Sequence, residues 1–225
     1  MENNKWEAFA NKNPEYYILT DNNDYSTKEG RKAFFKSGER YTEKTLDRVA
    51  DILPDKERAL EIGCGLGRLT LPHSNYFEEQ MAVDISPTML KRLKHNASKN
   101  GCTNIKMFKP NDNWWEFPVS YAYSYLVFQH IQRFETIEIY IKRMSYCLKR
   151  DGIAQLQFDT RNKGLFYRMR NHIPDPLLPK TQRSGIRRIR RGAKKLRGIF
   201  RKYGLVILEE YHKSSYKHIF LLKIR

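Results

Sequence analysis

The sequence predicts an α/β fold, a mostly parallel sheet covered on both faces by helices and entered through a helical N-terminal segment. Three observations predict it. Short apolar runs alternate with helix-period stretches five times between residues 58 and 158. The first run, Ala59 to Ile62, stops at three glycines in alternate positions, Gly63, Gly65 and Gly67. Polar residues then recur at the C-terminal ends of the expected strands, where sheets of this kind bind ligands: Glu61, Asp84, Asn111 with Asp112, and the stretch 124–130.

Taken in order, residues 1–45 are rich in aromatic residues and broken by Asn13-Pro14 and a polar run over 20–25. Residues 28–37 read as a helix with Gly38 as its C-cap, and 39–53 as a second helix ended by Pro54. An aromatic, interrupted segment ahead of a nucleotide-binding core reads either as a lid or as an extra packed layer. The strand before the glycines feeds a helix whose start Pro72 limits. Residues 80–86 read as the second strand, with Asp84 at its end, about twenty residues after Gly63. Ser86 and Pro87 then open a helix that Gly101 closes. Strands follow over 104–109, 121–131 and 153–158, with an amphipathic helix over 134–148 between the last two. Trp114 and Trp115 lie in a loop and read either as local core or as packing against a bound base. Residues 161–184 are irregular. The spacing of Ile186, Ile189, Ala193, Leu196, Phe200 and Tyr203 predicts one basic helix over 186–203, followed by two strands over 206–211 and 218–224.

Composition narrows the function classes. A chain of 225 residues suits one domain, or one domain with a small lid. It has no apolar run of membrane-spanning length and no apolar signal region. Three scattered cysteines give no zinc pattern and suit a reducing cytoplasm, so no metal is expected. The net charge is +17, of which residues 161–202 carry +14, with fifteen Lys or Arg against Asp175 alone.

The glycine loop itself reads E-I-G-C-G-L-G-R over 61–68. A dinucleotide fingerprint has glycine where Arg68 stands. An acid ahead of the loop suits a cationic ligand better than a pyrophosphate. This stretch resembles the first motif of the class I S-adenosylmethionine-dependent methyltransferases. The resemblance is specific over 58–158 and looser over 186–225. It implies a three-layer, Rossmann-like methyltransferase fold, with a seven-stranded, mostly parallel sheet and an antiparallel last strand. The expected division is an N-terminal lid over 1–45 and a cofactor-binding domain over 46–225, with 161–203 as a basic, substrate-side region, although 1–45 and 161–184 lie outside the resemblance. It implies S-adenosylmethionine as cofactor, held by Glu61, Gly63, Cys64, Gly65 and Arg68 at the loop. Asp84 would take the ribose hydroxyls, with Ile85 and Met89 beside it. Asn111 or Asp112 would face the adenine, and Ser124 and Gln129 the methionine end. Cys64 reads as a small filler, and Tyr17 and Arg40 are expected contacts from the lid. Family members usually carry an acid near the start of the fourth strand, where this chain has Ser120.

Methyl transfer from a sulfonium needs alignment above all, and a base only where the nucleophile must lose a proton. His130 is the expected base, with shaping of the pocket as the alternative. The resulting expectation is a cytoplasmic methyltransferase acting on oxygen or nitrogen of a small-molecule, glycan-linked or anionic acceptor. The alternative is an RNA methyltransferase that holds nucleic acid through 161–202. A solvated helix face and adsorption to an anionic membrane are the other readings of that basic window.

Overall fold

The computed structural model describes residues 2–225 except 22, 171, 172, 180, 181 and 184, and the side chains of all of these except 2–4 and 166. Seven strands form one sheet in the order β3-β2-β1-β4-β5-β7-β6. β1 (Arg58–Ile62), β2 (Glu79–Val83), β3 (Ile105–Phe108), β4 (Val119–Ser124) and β5 (Leu148–Phe158) run parallel. β7 (His218–Ile224) enters antiparallel between β5 and β6 (Leu205–Tyr211). This is the expected mixed sheet with its reversed last strand.

Strand alternation sorts the core into two faces. Leu60, Ile62, Met81, Ala122, Leu156 and Phe220 point to one face, under α6 (Phe134–Cys147) and α8 (Ala193–Lys202). Ala59, Tyr121, Tyr123, Ile153 and Leu221 point to the other, under α3 (Lys28–Asp47). α5 (Pro87–Lys99) closes that second face through Leu93 and Ala97. α5 begins as its sequence requires. Ser86 Oγ accepts from Met89 N at 3.1 Å, and Pro87 fills the first turn, where an N–H has no helical partner.

Three expectations need correction. Gly38 does not end a helix: α3 runs unbroken from Lys28 to Asp47, and the expected boundary at 45/46 falls inside it. A Cβ at Gly38 would stand 2.0 Å from the Arg68 carbonyl oxygen, so this glycine serves close helix–loop contact. The basic helix does not begin at 186. It begins at Ala193, after Gly192 in an extended conformation. The residues before it are held off the helical path by outside partners. Ile189 N donates to Gln129 O at 2.6 Å, Arg191 N to Asp159 O at 2.8 Å, and Arg190 N to Tyr167 Oη at 2.9 Å. The helix after the glycine loop, α4 (Thr70–His73), makes a single turn with Pro72 inside it. The N-terminal segment adds α1 (Glu2–Ala10) and α2 (Pro14–Leu19), and α7 (Leu165–Met169) lies in the basic region.

Candidate functional site

β1, β2 and β4 end on one rim, in register, with Ile62 opposite Val83 and Glu61 opposite Tyr123. A cavity of about 280 Å³ opens there, near the lower end of ligand-holding volumes, which run from about 300 Å³. Its floor is Gly63, Gly65, Asp84, Ile85 and Met89; its far wall is Ile131, Gln132, Thr136 and Tyr140. Gly63 lies at φ +81°, and a Cβ there would meet Val127 Cγ2 at 2.2 Å. Only glycine lets the loop after β4 approach this closely.

The glycine loop has already spent its donors. Gly63 N and Cys64 N both donate to Val83 O, at 2.7 and 3.1 Å. Gly67 N donates to Cys64 O at 2.9 Å. Gly65 N donates to Asp84 Oδ2 at 2.8 Å. A pyrophosphate cradle needs such N–H groups turned outward. This loop turns them inward and has a carboxylate at its edge, which suits a cationic ligand with hydroxyls. Asp84 Oδ1 also accepts from Ser86 N at 2.9 Å. A carboxylate has about four acceptor sites, more than the backbone N–H groups around Asp84 occupy, so acceptor capacity remains for a hydroxyl in the cavity that Asp84 lines. Burial raises the Asp84 carboxyl from its ordinary range, and the Ser86, Gly65 and Ile85 N–H groups oppose that shift.

The roof is α1. Lys5 and Trp6 line the cavity from above, and Ile18 of α2 joins them. Trp6 meets His130 edge-on at 5.4 Å. Glu7 fastens α1 to the first turn of α5, accepting from Ser86 Oγ at 2.5 Å, from Thr88 N at 3.3 Å and from Thr88 Oγ1. These donors lower the Glu7 carboxyl below its ordinary range, Ser86 most.

Of the residues expected at the site, Gly63, Gly65, Asp84, Ile85, Met89 and His130 line this cavity. The others stand around it. Glu61 faces the layer under α3 and α4, because alternation turns it away from Ile62. It is 3 % exposed and accepts from Thr70 Oγ1 at 2.6 Å and Tyr123 Oη at 3.1 Å. Burial raises its carboxyl to about 7. Cys64 packs with Leu71 and Leu93, as a filler does. Arg68 is buried against the rings of Phe34 and Tyr125 and donates to Ser37 Oγ at 3.3 Å. Ser124 Oγ donates to Ile62 O at 3.0 Å. Gln129 lies against His130 and Gln157. Asn111 and Asp112 are exposed, with Asp112 bonded to Lys109 N at 2.7 Å. From the N-terminal segment, Tyr17 stacks on Phe9 at 4.0 Å and Arg40 is exposed. Trp114 is core, stacked on Tyr140.

The sequence reading missed Trp6, Ile18, Thr136 and Tyr140. Trp6 was visible only as one aromatic residue among many. Thr136 and Tyr140 stand four residues apart on α6, a spacing that signals a shared face without saying what it faces.

Known proteins bear on this rim directly. Residues 59–152 match a family model described as a methyltransferase domain. A 23S rRNA (uracil(1939)-C(5))-methyltransferase from Francisella tularensis is 33 % identical over 70 residues, 30 % of this chain and 16 % of that protein. A tRNA/tmRNA (uracil-C(5))-methyltransferase from Saccharophagus degradans is 44 % identical over 46 residues, 20 % of this chain and 13 % of that protein. The chain therefore spans less than a fifth of the length of these relatives. Among solved structures, magnesium protoporphyrin IX methyltransferase from Synechocystis with bound S-adenosylmethionine aligns over 100 % of this chain and 98 % of its own, with a TM-score of 0.65 at 14 % identity. An S-adenosylmethionine-dependent methyltransferase from Clostridium acetobutylicum aligns over 81 % and 90 %, with a TM-score of 0.65 at 14 % identity. At such identities the likeness is one of fold.

The fold is thus the Rossmann-like methyltransferase fold. Within it residues 59–152 match the methyltransferase-domain model, and the solved proteins of like fold are S-adenosylmethionine-dependent methyltransferases.

Proposed function

We propose that this protein transfers a methyl group from S-adenosylmethionine to oxygen or nitrogen of a small-molecule or glycan-linked acceptor. The observation that carries this reading is the roofed cavity at the strand ends, with Asp84 on its floor and Trp6 above it. The residues present fit the cofactor. Asp84 offers acceptors to the ribose hydroxyls, the glycine loop offers a close surface without competing donors, and Ile85, Met89 and Ile131 offer apolar contact. The bound cofactor would supply an activated methyl on a sulfonium. The chain's task is then to align the acceptor and exclude water. α1 roofs the cavity, which limits an acceptor inside it to small groups.

His130 lines the cavity, but burial, and then the Arg188 charge, push its imidazole down to about 3. So weak a base is poorly matched to neutral pH. We assign it to orienting the acceptor by a hydrogen bond. His130→Asn, which keeps a polar group there, is expected to lower kcat by less than about ten-fold. A drop of about 100-fold or more would mark a general base instead.

Calorimetry with S-adenosylmethionine and with NAD tests the site. Binding of the first alone is expected, and binding of NAD alone would sink the reading. The RNA (uracil-C(5))-methyltransferases among the sequence relatives favour RNA as a second acceptor class. Methylation of RNA, with an affinity that falls steeply with salt, would establish it. Against it, much of the basic window is spent within the fold. Arg197 pairs with Glu210 at 2.7 Å and Lys202 with Glu138 at 2.6 Å. Arg170 Nη2 donates to Arg188 O at 2.8 Å, and Arg191 Nη2 donates to Ile131 O and Gln132 O at 2.5 and 2.7 Å.

A further inference from the structure

A second cavity, of about 200 Å³, adjoins the first. The two share His130, Gln132 and Gly185, and the second adds Tyr167, Arg187 and Ile189. None of these lining residues is acidic.

The arginines around this cavity divide into two kinds. Arg161 is paired with Asp159, its Nη2 2.7 Å from Oδ2. Arg170, Arg183, Arg190 and Arg191 donate to backbone carbonyls and so hold the segment in place. Arg187 differs. Its side chain is half-buried and lines the cavity, and among the described residues its guanidinium has no hydrogen-bond or ion-pair partner. Taking a guanidinium partly out of water without a partner costs free energy. Five N–H donors in a planar fork are matched by a carboxylate or a phosphate. Beside it, Tyr167 Oη already accepts from Arg190 N at 2.9 Å, which leaves its own O–H to donate. The guanidinium groups of Arg170 and Arg190 lie over the Tyr167 ring, 4.1 and 4.5 Å from its centroid. Arg188 stands next in sequence, 4.6 Å over Tyr216. Among the described residues that line this cavity Arg187 carries the one formal charge, and on the neighbouring His130 the Arg188 charge outweighs that of Asp159.

We propose that the methyl acceptor carries a compact anionic group, a phosphate or a carboxylate, and that this group docks on Arg187 and Tyr167 in the second cavity while the nucleophilic end reaches past His130 to the cofactor. The proposal rests on the first cavity being the cofactor site. It gives the basic region a selective role that net charge alone does not. Arg187 is the specificity-determining side chain, and the surrounding arginines hold its loop.

The test titrates the full chain, saturated with S-adenosylhomocysteine, with inorganic phosphate and with acetate, following the Arg187 Nε–H signal by NMR. Saturable binding of at least one anion is expected, and the anion that binds more tightly identifies the acceptor's group. Arg187→Gln is expected to weaken that binding about 10- to 100-fold. Arg187→Lys should keep part of it, because charge remains and the fork is lost. Arg201→Gln, exposed on α8, should leave it unchanged. Thermal unfolding of each variant checks that it is folded. If Arg187→Gln binds both anions as the unaltered protein does, or neither anion saturates, the inference falls while the cofactor site stands. If S-adenosylhomocysteine itself fails to bind, the cofactor reading falls and takes this one with it.

Discussion

Residues 58–158 and residues 161–192 meet at the same rim, yet they are built by opposite means. In the first region backbone pairs with backbone. β1, β2 and β4 run in register, and the glycine loop closes on Val83 and Asp84. In the second region side chains fasten backbone. Arg170, Arg183, Arg190 and Arg191 reach for carbonyls, and little regular structure forms between α7 and α8. The comparison teaches that one rim can join a half paired strand to strand with a half held by a few long side chains. Local periodicity specifies the first. Distant partners specify the second.

The contrast can be tested at four places, from the largest expected effect to the smallest. Asp84→Ala removes the ribose acceptors and strands the Gly65 and Ser86 N–H groups. It is expected to weaken S-adenosylmethionine binding by about 100-fold or more, read by calorimetry. Unchanged affinity would mean that the rim does not grip the cofactor through its second strand. Arg191→Met removes the bonds to Ile131 O and Gln132 O and should cost about 1–3 kcal/mol, felt locally. Hydrogen exchange at Ile189 and Arg191 should quicken while the β1 amides keep their protection. Equal quickening in both regions would erase the distinction.

The third test is a pH series. Burial raises the Glu61 carboxyl to about 7 from its ordinary 4.5, so its contribution to stability is full below about 4.5 and lost as pH rises through about 7. His73 has the opposite sign. Burial lowers it to about 3 from 6.5, so its contribution is full above about 6.5 and lost as pH falls towards 3. His130 behaves as His73 does. Between about pH 4.5 and 6.5 Glu61 and these histidines therefore oppose one another. Glu61→Gln should make stability rise more steeply with pH across that window, by up to about 1.4 kcal/mol per pH unit, in denaturant titrations. An unaltered slope would mean that Glu61 titrates in the fold as it does in the unfolded chain. Last, Lys202→Met breaks the exposed pair with Glu138 and should leave the denaturation midpoint nearly unchanged, because solvent screens such a pair.

The legibility of the sequence follows the same division. Gly63, Asp84, Ser86 and Pro87 announced a strand, a loop and a helix start because each carries a local backbone requirement. The reversed last strand came from the family resemblance, supported by the alternation over 218–224. Glu61 was legible as part of the motif but not as a buried partner of Thr70 and Tyr123, since which face a strand residue takes depends on what covers it. The stripe from Ile186 to Ala193 misled because its apolar residues do pack, Ile186 at 8 % exposure, but along an extended path set by Gln129, Asp159 and Tyr167. Those partners lie 23 to 60 residues away, beyond any helical period. Gly38 looked like a stop because its contact with Arg68 is likewise invisible along the chain.

The bond from Gly65 N to Asp84 has a consequence for engineering. The carboxylate that offers itself to hydroxyl groups is also the one that hides the loop's amide from phosphate. Converting this corner to a nicotinamide site by a point change is therefore self-defeating. Exposing the amide means deleting the acid, and the same stroke discards the carboxylate proposed to hold a ribose, which either nucleoside would need.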